Sequence, residues 1–144
     1  MEIEEFNIDK GLYIFGFEGL ETESHSHPAT EIIIAKTGDF TLWIGTKYHN
    51  NLKFAIVPAN QKHKLASAGC KIRIIMIEHH NRLVADSFNL ADTGPDNAYF
   101  LQTKADREVE QMDLLLQAIN QGQGLAEYDH RITAVIEYLN KNNL

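Results

Sequence analysis

Cysteine is nearly missing from this chain. Cys70 is the one thiol in 144 residues, so no disulfide framework can hold the fold, and the residue is expected as a buried or strand-end thiol in a reducing compartment. Basic side chains are also scarce: thirteen Lys and Arg stand against twenty Asp and Glu, for a formal charge of −7. A protein that grips phosphates needs a basic stripe, and here the cations are scattered, so this segment is not expected to bind nucleic acid by itself. No apolar run reaches the length of a membrane-spanning helix, and the acidic opening over residues 1–6 is the reverse of a signal peptide's basic start. The expected location is the cytoplasm, with no membrane partner. Glycine patterns that cradle phosphates and a serine in a nucleophile-elbow context are absent too, which removes the usual signs of nucleotide binding and serine hydrolysis.

What is present changes period two-thirds of the way along. Hydrophobic residues make up 44% and run the length of the chain, enough for one domain with a real core. Short β-type runs occupy residues 11–18, 31–36, 39–45, 52–58 and 71–79, with turn chemistry at 37–39, 45–46, 49–51 and 68–69. Strands at roughly ten-residue spacing predict a sandwich or barrel. After a loop over 91–103 the period becomes helical. Thr103 and Asp106 mark a helix start, and Val109, Met112, Leu116 and Ile119 recur at three and four until Gly122 and Gly124. Asp129 caps a second predicted helix carrying Ile132, Val135, Ile136 and Leu139. The expected organisation is therefore a β unit over 1–90, a connecting loop over 91–103 and two amphipathic helices over 104–144.

Chemistry concentrates in one run. His25 and His27 are two apart, which on an extended strand puts both rings on one face, and Glu31 keeps that parity if the strand continues. His63 lies downstream, after Pro58. Three imidazoles and a carboxylate suit zinc, manganese, iron or nickel far better than calcium or magnesium, whose sites are all-oxygen. The bland alternative is polar side chains at a barrel mouth that hold no ion. His79 and His80 are adjacent, so on a regular strand they face opposite ways and cannot share one metal; they and His49 read as rim histidines.

The run from Gly19 through His25, His27 and Glu31 to Gly38 resembles the first motif of the cupin superfamily, and Pro58 to His63 resembles the second. The second departs from the pattern: Leu52 stands for its opening glycine, Asn60 for the glycine after proline, and Ser67 for the terminal asparagine. The resemblance implies a mainly β, double-stranded jelly-roll barrel with His25, His27, Glu31 and His63 pointing into the lumen. Tyr13, Phe15, Ile33 and Trp43 are candidate pocket-lining residues, with plain core as the alternative.

The helical tail over 112–124 and 129–143 is similar to the segment that follows the barrel in the N-terminal sensor half of AraC-type transcription regulators. That resemblance implies a domain that binds a small-molecule effector, with or without a metal, and forms a homodimer. DNA would be contacted only through an attached domain beyond Leu144. Met112, Leu115, Leu116 and Ile119 are then dimerisation candidates, unless the stripe covers the barrel, as amphipathic helices commonly do. The arm over residues 1–10 is a candidate switching part. Two readings from other classes stand beside this one: a metal-dependent cupin enzyme such as a small dioxygenase or isomerase, and a structural cupin that only dimerises.

Overall fold

The computed structural model describes residues 1–78, 84, 87–88 and 98–120. The strands, in chain order, are β1 (Glu2–Asn7), β2 (Leu12–Glu18), β3 (Ala29–Ala35), β4 (Phe40–Ile44), β5 (Lys47–Leu52), β6 (Phe54–Val57), β7 (His63–Ala66), β8 (Lys71–Glu78) and β9 (Tyr99–Leu101), followed by helix α1 (Asp106–Asn120). Two antiparallel sheets form, one ordered β1-β2-β8-β3-β6-β9 and the other β5-β4-β7.

The central strands explain why residues 31–35 and 54–57 read as continuous apolar runs. Every residue of β6 is buried, as are Glu31 through Ile34 of β3, because the large sheet is covered on both faces. Ile33, Ala55, Val57, Ile72 and Ile74 meet Phe40, Leu42, Ile44, Leu52 and Leu65 of the small sheet in an inner core. On the other face Leu12, Ile14, Ile32, Ile34, Ile56, Ile75 and Ile77 form a second core with Met112, Leu116 and Ile119 of α1. Register ties the faces together: Tyr13, Met76, Glu31 and Val57 are cross-strand neighbours on the inner face, one residue off Ile32 and Ile56 on the outer face.

Local chemistry accounts for the boundaries. Gly45, at φ 59°, heads the two-residue loop between Ile44 and Lys47, the position that a primed hairpin turn gives to glycine. Acidic Asp106 and Glu108 occupy the first turn of α1, where the helix dipole favours negative charge. Two expectations are corrected. Residues 49–51, read as a turn, lie in β5, where a register shift opposite Phe40/Leu42 and a left-handed Asn51 (φ 56°) make a bulge. The segment 91–103, read as a connecting loop, contributes β9, which pairs with β6 and extends the large sheet. The second expected helix, over 129–143, lies outside the described residues.

Candidate metal centre

His63 opens β7 of the small sheet, whereas Glu31 stands on β3 of the large one, so the two approach across the inner space between sheets. His25 and His27 belong to neither sheet. Pro28 precedes β3, and the chain before it runs antiparallel along β7 instead of continuing as one strand. His25 N–H donates to His63 O at 2.9 Å and His63 N–H to His25 O at 2.8 Å. Asn60 N–H donates to His27 O at 2.8 Å, Thr22 N–H to Leu65 O at 2.9 Å, and Ser67 N–H to Leu20 O at 2.8 Å. The strand-parity argument for His25, His27 and Glu31 is therefore corrected: the three converge because a zipped segment lies across the mouth, not because one strand presents them.

The motif departures have physical reasons. Asn60 sits at φ 66°, and asparagine is one of the few side chains that tolerate the left-handed region a glycine would otherwise supply. Ser67 is buried; its Oγ accepts from Leu20 N–H at 2.9 Å and donates to Leu20 O at 3.2 Å, clamping the segment that carries the histidines. Leu52 fills the inner core.

The geometry is that of a ligand cluster. Ligating atoms of His25, His27 and His63 all lie within 4.8 Å of one another, and the ring centroids are 4.4 to 5.5 Å apart. Glu31 Oε2 lies 2.6 Å from His63 Nε2 and 3.3 Å from His27 Nε2. Glu31 and His63 are 3% and 2% exposed, while His25 and His27 are half-buried and leave that side open.

Each ring is oriented through its other nitrogen. Nδ1 of His25 faces Glu23 O at 2.7 Å, Nδ1 of His27 faces Ala29 O at 3.1 Å, and Nδ1 of His63 faces Gln61 O at 2.7 Å. A carbonyl oxygen only accepts, so each Nδ1 carries a proton, which leaves Nε2 as the nitrogen free to offer a lone pair to a metal ion or, when protonated, an N–H to Glu31. Such outer hydrogen bonds are what fix metal-ligating histidines. His63 Nε2 lies 2.6 Å from the carboxylate without hydrogen-bond geometry, and it has no other hydrogen-bond partner among the described residues. A lone pair and a carboxylate oxygen that close repel unless a cation, a proton or a metal ion, lies between them. The donor set thus fits a divalent transition metal.

Electrostatics keep Glu31 ionised. Burial alone would push its carboxyl up, but the contacts from His27 and His63 outweigh it and hold the group down at about 2. The same carboxylate raises His27 above its ordinary value through their hydrogen bond, against an opposing effect of burial.

Of the candidate pocket residues, Tyr13, Phe15 and Ile33 stand on the inner face: Tyr13 is opposite Met76, and Phe15 and Ile33 flank Ile74 across β2, β8 and β3. Tyr13 Oη donates to Glu78 Oε1 at 2.9 Å. Trp43 is not brought to them: it lies on the outward face of β4, against Tyr48 at 5.3 Å and under Lys64 Nζ at 5.0 Å. His49 stacks on Phe100 at 4.1 Å, and His79 and His80 lie outside the described residues. Met112, Leu116 and Ile119, offered as dimerisation residues, are buried against the large sheet of the same chain and are unavailable to a partner; Leu115 packs beside them and Leu114 is 62% exposed. Gln61 was missed by sequence reasoning, although its place two residues before His63 was the signal that could have found it.

No family model matches the sequence, and no curated protein sequence matches it. Solved structures do resemble it. A cupin-like protein from Thermotoga maritima is 16% identical, with a TM-score of 0.44, over 76% of this chain and 80% of that one. ToxT from Vibrio cholerae is 9% identical, with a TM-score of 0.42, over 77% of this chain and 47% of that one. A conserved protein of unknown function from Streptococcus pyogenes is 18% identical, with a TM-score of 0.39; the match takes in 46% of this chain and 62% of that one, less than two thirds of its length. Likeness at this level leaves the chemistry to this chain's own side chains.

Proposed function

We propose that this chain is a metal-binding and ligand-binding module of cupin type, in which His25, His27, Glu31 and His63 hold a divalent transition metal ion between the two sheets. The observation that carries the reading is the convergence itself: three rings whose Nδ1 atoms face backbone carbonyls and whose ligating atoms lie within 4.8 Å of one another, with Nε2 of His27 and of His63 at 3.3 and 2.6 Å from one ionised carboxylate. A bound ion would supply a Lewis-acid position for an oxygen or nitrogen of a small ligand. The carbonyls of Glu23, Ala29 and Gln61 hold the rings, Glu31 supplies charge, and the half-buried side at His25 and His27 is the entrance.

Within that module we favour effector sensing, as in an AraC-type transcription regulator, over catalysis. Its support is β3, which presents Glu31 to the centre while the adjoining Ile32 packs in the core shared with α1. Occupancy at Glu31 is thus one residue from the helix that leads into the tail. DNA would be reached through an attached domain, and a homodimer would need surfaces other than Met112, Leu116 and Ile119. The second reading, a metal-dependent enzyme, is favoured by the four-membered ligand set and separates from the first by turnover that chelation abolishes.

Metal analysis of untagged protein tests the centre. About one ion per chain is expected, with affinity falling at least about tenfold in His25→Ala and His63→Ala; equal metal content in wild type and both variants would refute the ligand assignment. For the sensing role, loading with Co²⁺ is expected to slow amide exchange in β3 and α1. Protection limited to residues 19–28 and 58–66 would count against transmission to the helix.

A further inference from the structure

The turn that delivers His63 holds two buried polar atoms without a hydrogen-bond partner among the described residues: His63 Nε2 and Gln61 Oε1. Gln61 is 9% exposed, and from Gln61 to Leu65 burial alternates, with Lys62 and Lys64 exposed and Gln61, His63 and Leu65 covered. That alternation puts Gln61 on the inner face beside His63, about 7 Å along the chain. The amide's orientation is fixed by its own nitrogen. Nε2 donates to Lys62 O at 3.0 Å, and a carbonyl only accepts, so the oxygen is the atom left over. A buried amide oxygen is destabilising until a donor reaches it. Among the described residues no donor reaches it.

The two orphan atoms ask for different things. His63 Nε2 asks for a cation, and Gln61 Oε1 asks for an N–H or O–H. We propose that Gln61 selects the ligand of the centre: its Oε1 accepts a hydrogen bond from an N–H or O–H that a small chelating molecule carries beside its metal-binding atoms. The inference rests on the metal reading above and names a ligand class within it, chelators bearing such a hydrogen in preference to those in which carbon replaces it. A site built to pair a polar group rejects analogues lacking its partner, because the protein's own buried atom is then stranded.

The probes are acetohydroxamate and N-methylacetohydroxamate, which bring the same two oxygens to an ion and differ in whether the nitrogen bears hydrogen or methyl. Binding of each to the full chain loaded with Co²⁺ is read from visible absorption. Wild type is expected to favour acetohydroxamate by about tenfold or more. Gln61→Met and Gln61→Leu are expected to cut that preference to about twofold by weakening acetohydroxamate alone, the comparison being made at saturating Co²⁺. An apolar side chain of similar volume gives up only the Nε2 bond to Lys62 O, a carbonyl that still accepts from Gly45 N–H at 3.1 Å, and the two variants check each other. Simple crowding of the methyl group would persist in both. A preference that survives in the Co²⁺-loaded variants overturns the proposal. Failure of wild type to bind Co²⁺ at all overturns the metal reading instead, and the proposal with it.

Discussion

At the scale of single residues, the centre is a charge balance that pH can shift. Glu31 is held at about 2, below its ordinary 4.5, so its contribution to stability is present above pH 4.5 and disappears as pH falls through 2. His27 is raised above its ordinary 6.5, so its contribution is complete below pH 6.5 and is lost as pH rises through the raised value. In chelator-treated protein, the melting temperature is expected to be highest between about pH 4.5 and 6.5 and to decline on both sides, as far as these two groups determine it. Glu31→Gln should flatten both limbs, because each arises from the same carboxylate; a profile unchanged by that substitution would show that the carboxylate–imidazole contacts contribute nothing. Metal should invert the alkaline limb, since ligating imidazoles must be neutral and binding releases their protons. The residue types were legible from the sequence. The assignment of the protons was not, because it depends on the carbonyls of Glu23, Ala29 and Gln61, which no side-chain pattern records.

At the scale of elements, the segment over 19–28 decides whether the ligands meet. It is held along β7 by backbone pairings and by the hydroxyls of Ser67 and Thr22; Thr22 Oγ1 accepts from Leu65 N–H at 2.9 Å, and Ser67 Oγ both accepts from and donates to Leu20. Ser67→Ala removes two hydrogen bonds and strands a half-buried N–H, at a cost of about 1–3 kcal/mol. Because the segment carries His25 and His27, metal affinity is expected to fall about tenfold as well, with faster amide exchange at Thr22 and His25. Lower stability with unchanged metal affinity would mean that the rings are positioned without the clamp. Strands with an apolar run or clear alternation were readable in advance. The short polar strands β5 and β7 were not: β5 is mostly exposed and polar, and only its pairing with β4 makes it a strand, since context outweighs β-propensity at such places.

At the scale of the whole molecule, α1 is a cover for the large sheet. Met112, Leu116 and Ile119 recur at four and three and are buried there, which is the common fate of an amphipathic stripe. Leu116→Ala is expected to cost about 2–4 kcal/mol of stability, with sedimentation behaviour unchanged, while Leu114→Glu on the exposed face should stay within about 0.5 kcal/mol of wild type. A loss of self-association in Leu116→Ala without loss of stability would restore the stripe as an interface. Covering both faces of the large sheet also places the centre between the sheets, with the helix one strand thickness behind Glu31.

By itself the sequence determined the mainly β character and the helical stripe and singled out the four candidate ligand side chains, because periodicity and residue chemistry are local properties written along the chain. Only the tertiary structure decided that His25 and His27 reach the centre from a segment laid along β7, that Trp43 faces outward and that the helix stripe is buried within its own chain. It alone also showed that Gln61 is buried with its Oε1 unpartnered among the described residues. Each of these turns on which strand lies next to which, and pairing between distant segments is set by the burial of all their faces at once.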